Sequence, residues 1–437
     1  MLSLYYHAGD DEGVVCLMFP RLTGLWRKPD FLKLWAGETI SLVGSRMSAV
    51  ALPLTAAVTL GASPLQMGLL GTVGVASVAL GPFLGVWVDR CRHQPLLVGL
   101  SVGRALLLAS IPAAALLHLL SFAQLYGVFA LHDILSNASG AAYRPFLSTL
   151  LAPDEFVEGN SKMAVSSALA AITGPGLAGL LVQAVGGPIA IALDAFSYLV
   201  TSLSLALIRG PADAPARAVD QAPMFAQIRD MLGMIWGRPI LRAMAVAGSV
   251  LSLFQGFGLA TYILYLTRDL GLTPRDVGTL YAVGGSGTLI GALVAGPWTR
   301  RLGVGPTILT TLLLTSGSAL LVPLAGSRLF AAPLAVVLLL GAAQVLQGTF
   351  LTVYYIAWYS LSQVAAPHRL QGRFTATMAT LIFSPEPVGA LVGGVLGSLV
   401  GLRGTLMIAA AIFTLASLAL VRSPLHQVQA LTTGEPP

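Results

Sequence analysis

The chain has 437 residues, 56% of them hydrophobic and only 10% charged, with a mean hydropathy of +0.82 and a net charge of +6. Soluble domains carry about 25% charge, so a water-soluble fold is excluded. Strand-length alternation is absent, which excludes a β-barrel. Backbone groups in lipid must be satisfied within their own segment, so helices are left as the spanning element. The positive charge is spread over many loops, mostly as arginine, with Lys only at 28, 33 and 162. That distribution argues against a nucleic-acid surface and for the positive-inside rule.

The first 17 residues are polar, with Asp10-Asp11-Glu12, and lack the order of a signal peptide. They read as a soluble tail, with Met18 as an alternative start. A bilayer core of roughly 30 Å needs about 20 apolar residues per helix. Apolar runs of that length predict twelve helices, near 32–60, 65–88, 95–117, 122–150, 162–185, 188–208, 241–266, 274–298, 304–324, 329–362, 374–400 and 405–421. The fold class is therefore all-α integral membrane, with an N-terminal half at 1–208, a polar Pro-containing linker at 209–240 and a C-terminal half at 241–437.

Placing the N-terminus in the cytoplasm puts 19 Lys and Arg inside, Arg90, Arg92, Arg104 and Arg144 among them. Four fall outside (Arg268, Arg275, Arg328 and Arg403), and Arg46 lies within helix 1. Both termini and the linker are then expected in the cytoplasm. Cys16 and Cys91 would share that reducing side, so neither a disulfide nor a metal site is expected.

The halves repeat. Gly85-x-x-x-Asp89-Arg90 recurs 211 positions on as Gly296-x-x-x-Arg300-Arg301, and Ala152-Pro153 recurs 214 positions on as Ala366-Pro367. Gly174-Pro175-x-x-x-Gly179 is echoed by Pro387-x-Gly389 and Gly393. Parallel halves at this spacing are the sign of a two-fold transporter that rocks around a central site.

On these motifs the chain resembles the major facilitator superfamily from about Trp26 onward. The segment from Gly85 to His93 is similar to that superfamily's loop between helices 2 and 3. Phe31-x-x-Leu34-Trp35-x-Gly37, Ser41-x-x-Gly44 and Pro367-x-Arg369-x-x-Gly372-Arg373 resemble bacterial exporters of the macrolide and enterobactin type. The resemblance implies a multi-pass protein of the bacterial cell membrane, a monomer, and a latch in which Asp89, with Gly85, Arg90 and Arg92, faces the start of helix 11 near Arg373. The alternative is a tight turn that only sets topology. Arg92, His93 and Gln94 depart from the usual pattern.

Ionisable residues inside a membrane face the protein interior and mark pathways. Arg46 in helix 1 and Asp133 in helix 4 are expected to approach each other, as a proton-coupling pair or a static one. Glu386, between Pro385 and Pro387, is a further proton or cation candidate, or part of a hinge. Asp194 reads as structural, Glu38 as solvated from the cytoplasmic end, and His132 as a packed neutral imidazole or, alternatively, a proton shuttle. Gly174, Pro175 and Gly179 resemble an antiporter signature on helix 5 and would let it approach helix 8. Their Gly-x-Gly-x-x-Gly spelling is not a dinucleotide loop, because no strand precedes it. Gln255, Gln344, Gln347 and Tyr354, with Tyr262, Tyr355, Trp358 and Tyr359, form a candidate wall for an amphipathic substrate or, alternatively, packing and an interfacial belt.

No P-loop is present and no cofactor is implied. The function expected is proton-driven export of small amphipathic molecules such as drugs, siderophores or secondary metabolites. The alternatives are a proton-coupled importer, a uniporter or a binding-only membrane protein. A membrane enzyme would want His, Asp or Glu clustered at one face, and the sequence shows no such cluster.

Overall fold

The computed structural model describes residues 24–76, 90–209, 224–326, 332–365 and 371–428, with Leu80, Leu84, Gly85, Trp87 and Val88 between the first two stretches. Helices are α1 Pro29–Leu54, α2 Pro64–Ala76, α3 His93–Leu116, α4 Phe122–Leu150, α5 Phe156–Val185 and α6 Gly187–Ala206. The second half has α7 Pro239–Leu264, α8 Pro274–Leu302, α9 Val304–Ala319, α10 Pro333–Ala365, α11 in two pieces (Gln371–Phe383 and Pro385–Leu399) and α12 Leu402–Leu420. Among the described residues, ten segments are long and apolar enough to cross a membrane. The stretch Phe122–Leu150 has the length but is not one of the ten, having Asp133, Asn137 and Arg144 along it. Helix 2 is described as Pro64–Ala76, ahead of residues outside the described set.

Proline and glycine place the boundaries. Pro64 and Pro274 sit at first-turn positions, where a missing N–H costs nothing. Ser63 and Thr273 cap those helices: Ser63 exchanges hydrogen bonds with Gln66, and Thr273 with Asp276. The loops before them match to the residue. Each helix ends in a π-helical turn, with Leu60 N–H bonding Thr55 and Leu270 N–H bonding Tyr265, both at 3.1 Å. Each then turns through a left-handed glycine, Gly61 and Gly271, both at φ 65°. Only glycine takes that backbone without strain. The duplication legible in the sequence is thus a duplication of backbone design.

Within the N-terminal half, α1 and α3 pack on α6; in the C-terminal half, α7 packs on α11 and α8 on α10. Between the halves, α5 meets α8, and α2 meets α11 and α7. A Cβ at Gly68 would lie 3.0 Å from the Gly394 Cα, and one at Gly397 would lie 2.9 Å from the Pro64 Cβ. Arg268 Nη2 donates to the Ala62 carbonyl at 2.7 Å, and Arg275 N–H to Gln183 Oε1 at 3.1 Å. Deeper in, Thr72 Oγ1 donates to the Pro387 carbonyl at 3.0 Å. These contacts occupy the half of the bundle remote from the linker. At the linker end a Cβ on Gly85 would meet nothing within 4 Å. Gly85 thus makes no close helix contact among the described residues.

Two further expectations are revised. The linker contains a helix, Met224–Gly237, whose buried Met231 and Ile235 join the core of the C-terminal half around Leu241 and Phe374. Apolar residues at four-residue spacing on one face explain its docking. Arg104, expected at the membrane surface, lies twelve residues into α3, with its guanidinium 4.2 Å above the Tyr198 ring.

Candidate functional site

The two halves differ in charge. Glu38, Arg46, Arg104, His132, Asp133 and Asp194 lie along the helices of the first half, whereas the middle of the second half offers Glu386. Glu386 of α11 and Asp133 of α4 interact electrostatically across the interface. Asp133 is also within hydrogen-bond distance of Asn137, whose Nδ2 donates to Oδ2 at 3.3 Å. Arg46 is exposed midway along α1, where its backbone is close enough to α5 that a Cβ on Gly174 would come 2.5 Å from the Arg46 Cβ. Among the described residues no ion pair joins Arg46 to Asp133. The expected approach of these two is replaced by a carboxylate–carboxylate relationship between halves.

Glu386 owes its position to a break in α11. Pro385 supplies no N–H to the Leu381 carbonyl one turn back, so that acceptor is left over. Ser249 Oγ of α7 donates to it at 3.1 Å, and Ser384 Oγ at 3.2 Å. Satisfying the orphan carbonyl from a neighbouring helix fixes the kink. Gly389 and Gly256 let α11 and α7 touch beside it, a Cβ at Gly256 falling 2.7 Å from the Ala390 N. Gln255 faces Tyr355, and Tyr355 stands within electrostatic reach of Glu386.

The aromatic stretch of α10 lines a cleft of about 40 Å³ against α7 and α11. Tyr354 is buried there at 1% exposure and Tyr355 is half-buried, their rings edge-to-face at 5.4 Å. Trp358, expected among belt or wall residues, is buried and donates Nε1–H to the Met244 carbonyl at 3.4 Å. Gln344 lies beside the Tyr262 hydroxyl, and Gln347 is half-buried on the same helix. On α5, Gly179 serves the contact with α8, while Gly174 serves α1 and Pro175 bends between them. Asp89 and the side chain of Arg373 lie outside the described residues, as do Ala366-Pro367 and Arg369. Arg90 and Arg92 are exposed on a turn closed by Arg90 N–H to the Trp87 carbonyl at 3.2 Å.

A duplicated helical bundle with charged residues held at the junction of its halves defines a polytopic membrane protein built for relative movement of two bodies. The family model of the Major Facilitator Superfamily matches residues 34–263 and 246–435, and the chain belongs to that superfamily. It is 28% identical over 239 residues to the multidrug efflux pump Tap of Mycolicibacterium fortuitum, covering 54% of this chain and 56% of that protein. The match thus spans just over half the length of that relative. The MFS-type transporter YfiS of Bacillus subtilis (strain 168) is 25% identical over 381 residues, 85% of this chain and 87% of that one. Among solved structures, a bacterial homologue of the iron transporter ferroportin in its inward-facing state has a TM-score of 0.69 at 17% identity, covering 92% of this chain and 99% of that one. A bacterial homologue of the lysosomal transporter Spinster has 0.69 at 15%, covering 93% and 99%. Both likenesses are likenesses of fold.

Proposed function

We propose that this protein is a secondary transporter that exports small amphipathic molecules, drugs or secondary metabolites among them, in exchange for protons. The observation that carries the reading is the electrostatic interaction of Asp133 with Glu386 across the junction of the halves. Two acids within electrostatic reach of each other favour binding of a proton or a cation by one of them. The same pair would be separated or joined as the halves rock. Sequence similarity to an efflux pump supports the direction of transport. The arginine count assigns the linker end to the cytoplasm, so the state described would be open inward and sealed outward. The half-buried amides and tyrosines of α7 and α10 would supply apolar rings with polar handles to the substrate.

The test is efflux from vesicles of known orientation under an imposed pH gradient, comparing the native protein with Asp133→Asn and Glu386→Gln proteins that insert normally. Loss of gradient-driven efflux in both is the expected result. Unchanged efflux in both would refute the coupling role. Uptake in place of efflux at the same gradient would reverse the direction.

A further inference from the structure

Inside the N-terminal half lies a second charged group that the junction chemistry does not use. Asp194 of α6 is fully buried at 0% exposure. Its Oδ1 accepts a hydrogen bond from Ser197 at 3.0 Å, while Oδ2 has no hydrogen-bond partner. The Ser48 side chain of α1 lies against the same carboxyl. The groups facing Asp194 and its i+4 neighbour Tyr198 are Glu38 from α1, Arg104 from α3 and His132 from α4. The charges of α5, Glu158 and Lys162, pair with each other at its other end. No ion pair closes on Asp194 among the described residues, because the Arg104 guanidinium sits over the Tyr198 ring, with its Nε buried and without a partner.

Counting charge, ionised Glu38 and Asp194 with Arg104 sum to −1, and one proton brings the group to neutrality. A buried carboxyl with no ion pair and one oxygen without a hydrogen bond leaves a place for a proton. A hydrogen-bonded chain passes it at Tyr198, which lies within electrostatic reach of Asp194. His132 Nε2 and the Tyr198 hydroxyl are 3.3 Å apart, and Tyr198 and Ser45 Oγ are 2.8 Å apart. One end of that chain, His132, is next in sequence to the junction residue Asp133 on α4.

We propose that Asp194 is a proton-binding site of this protein, reached from the junction of the halves through His132, Tyr198 and Ser45, with Arg104 as its counter-charge. The proton adds to the Asp194 carboxylate from water at the junction and returns there, so no other bond is made or broken. The role deepens the proton-coupled reading above and rests on it for its purpose. The binding event itself needs no substrate, so its test stands apart from that of export.

The test is infrared difference spectroscopy of the full chain in lipid nanodiscs on stepping to lower pH, reading the carbonyl stretch of protonated carboxyl groups. The native protein should gain an absorption that D194N lacks and that D133N and E386Q retain. Should D194N fail to fold, Y198F serves, since it keeps the ring under Arg104 and removes only the hydroxyl between His132 and Ser45. There the absorption should appear at least tenfold more slowly after a pH jump. Retention of the whole absorption in D194N, or native speed in Y198F, would overturn the proposal. Absence of efflux with these spectra intact would count against export alone.

Discussion

Gly179 of α5 and Gly278 of α8 leave no room between them for a side chain: a Cβ on Gly179 would stand 2.8 Å from the Gly278 Cα, and one on Gly278 would stand 2.6 Å from the Gly179 Cα. The seal remote from the linker is therefore made by backbone against backbone. Packing of this kind needs small residues and gains its stability from close approach.

Replacing Gly179 by leucine should wedge that seal. Overpacking a tight contact costs about 1–3 kcal/mol, which is roughly five- to 150-fold in a two-state ratio. The conformational ratio should move away from the sealed state by that factor. Cysteine labelling of positions on the two faces of the seal would show the shift as faster modification. Unchanged labelling would mean that the helices separate elsewhere.

The Arg268–Ala62 hydrogen bond ties the duplicated loops of the two halves together. Arg268→Ala should weaken the same seal by about 1.5–3 kcal/mol, the worth of a hydrogen bond from a charged donor. Spin labels on the α1–α2 and α7–α8 loops should report a longer distance population in the variant, and a lysine at this position should restore only part of the native distribution.

Asp133 and Glu386 should prove energetically coupled. Each neutralisation alone removes the mutual repulsion, so the second adds less than the first. A double-mutant cycle on thermal stability should return an interaction of about 0.5–3 kcal/mol. Strict additivity of D133N and E386Q would place the two acids too far apart to sense each other.

Ser249→Ala removes a donor from the Leu381 carbonyl and should destabilise the protein by about 1 kcal/mol. In a Pro385→Ala background the restored N–H can satisfy that carbonyl, and the cost of Ser249→Ala should largely vanish. Denaturation midpoints of the four proteins decide the matter.

Much of this architecture was legible in the chain. Apolar runs marked the spans, and the starts expected near 65 and 274 fall at Pro64 and Pro274 in the structure. The 211-residue echo of Gly85 in Gly296 pointed to a duplication that Gly61 and Gly271 repeat in backbone form. The interior was harder to read. Arg104 looks like a surface cation because its partners, Tyr198 and Asp194, are some ninety residues away on another helix. Arg46 and Asp133 looked like partners because opposite charges at equal depth usually pair, whereas Asp133 has Asn137 as its hydrogen-bond partner and Glu386 within electrostatic reach. Rotation about a helix axis is a tertiary property, and apolar residues on every face of a spanning helix leave little periodicity from which to infer it. The linker helix Met224–Gly237 was hidden by the prolines that precede it.

The lopsided charge of the halves has an electrical consequence. The loops that join them are copies, yet nearly all the intramembrane charge resides in one of them. When two such bodies tilt against each other, the first would carry five charged residues along the membrane normal and the second would carry Glu386. Each elementary charge taken across the full membrane potential exchanges about 2.3 kcal/mol per 100 mV. Ionised Glu38, Arg46, Arg104, Asp133 and Asp194 sum to −1, so tilting that half would exchange a fraction of this energy, and a proton held on Asp194 would cancel it. The membrane potential would then act on the resting balance of conformations before any solute is bound.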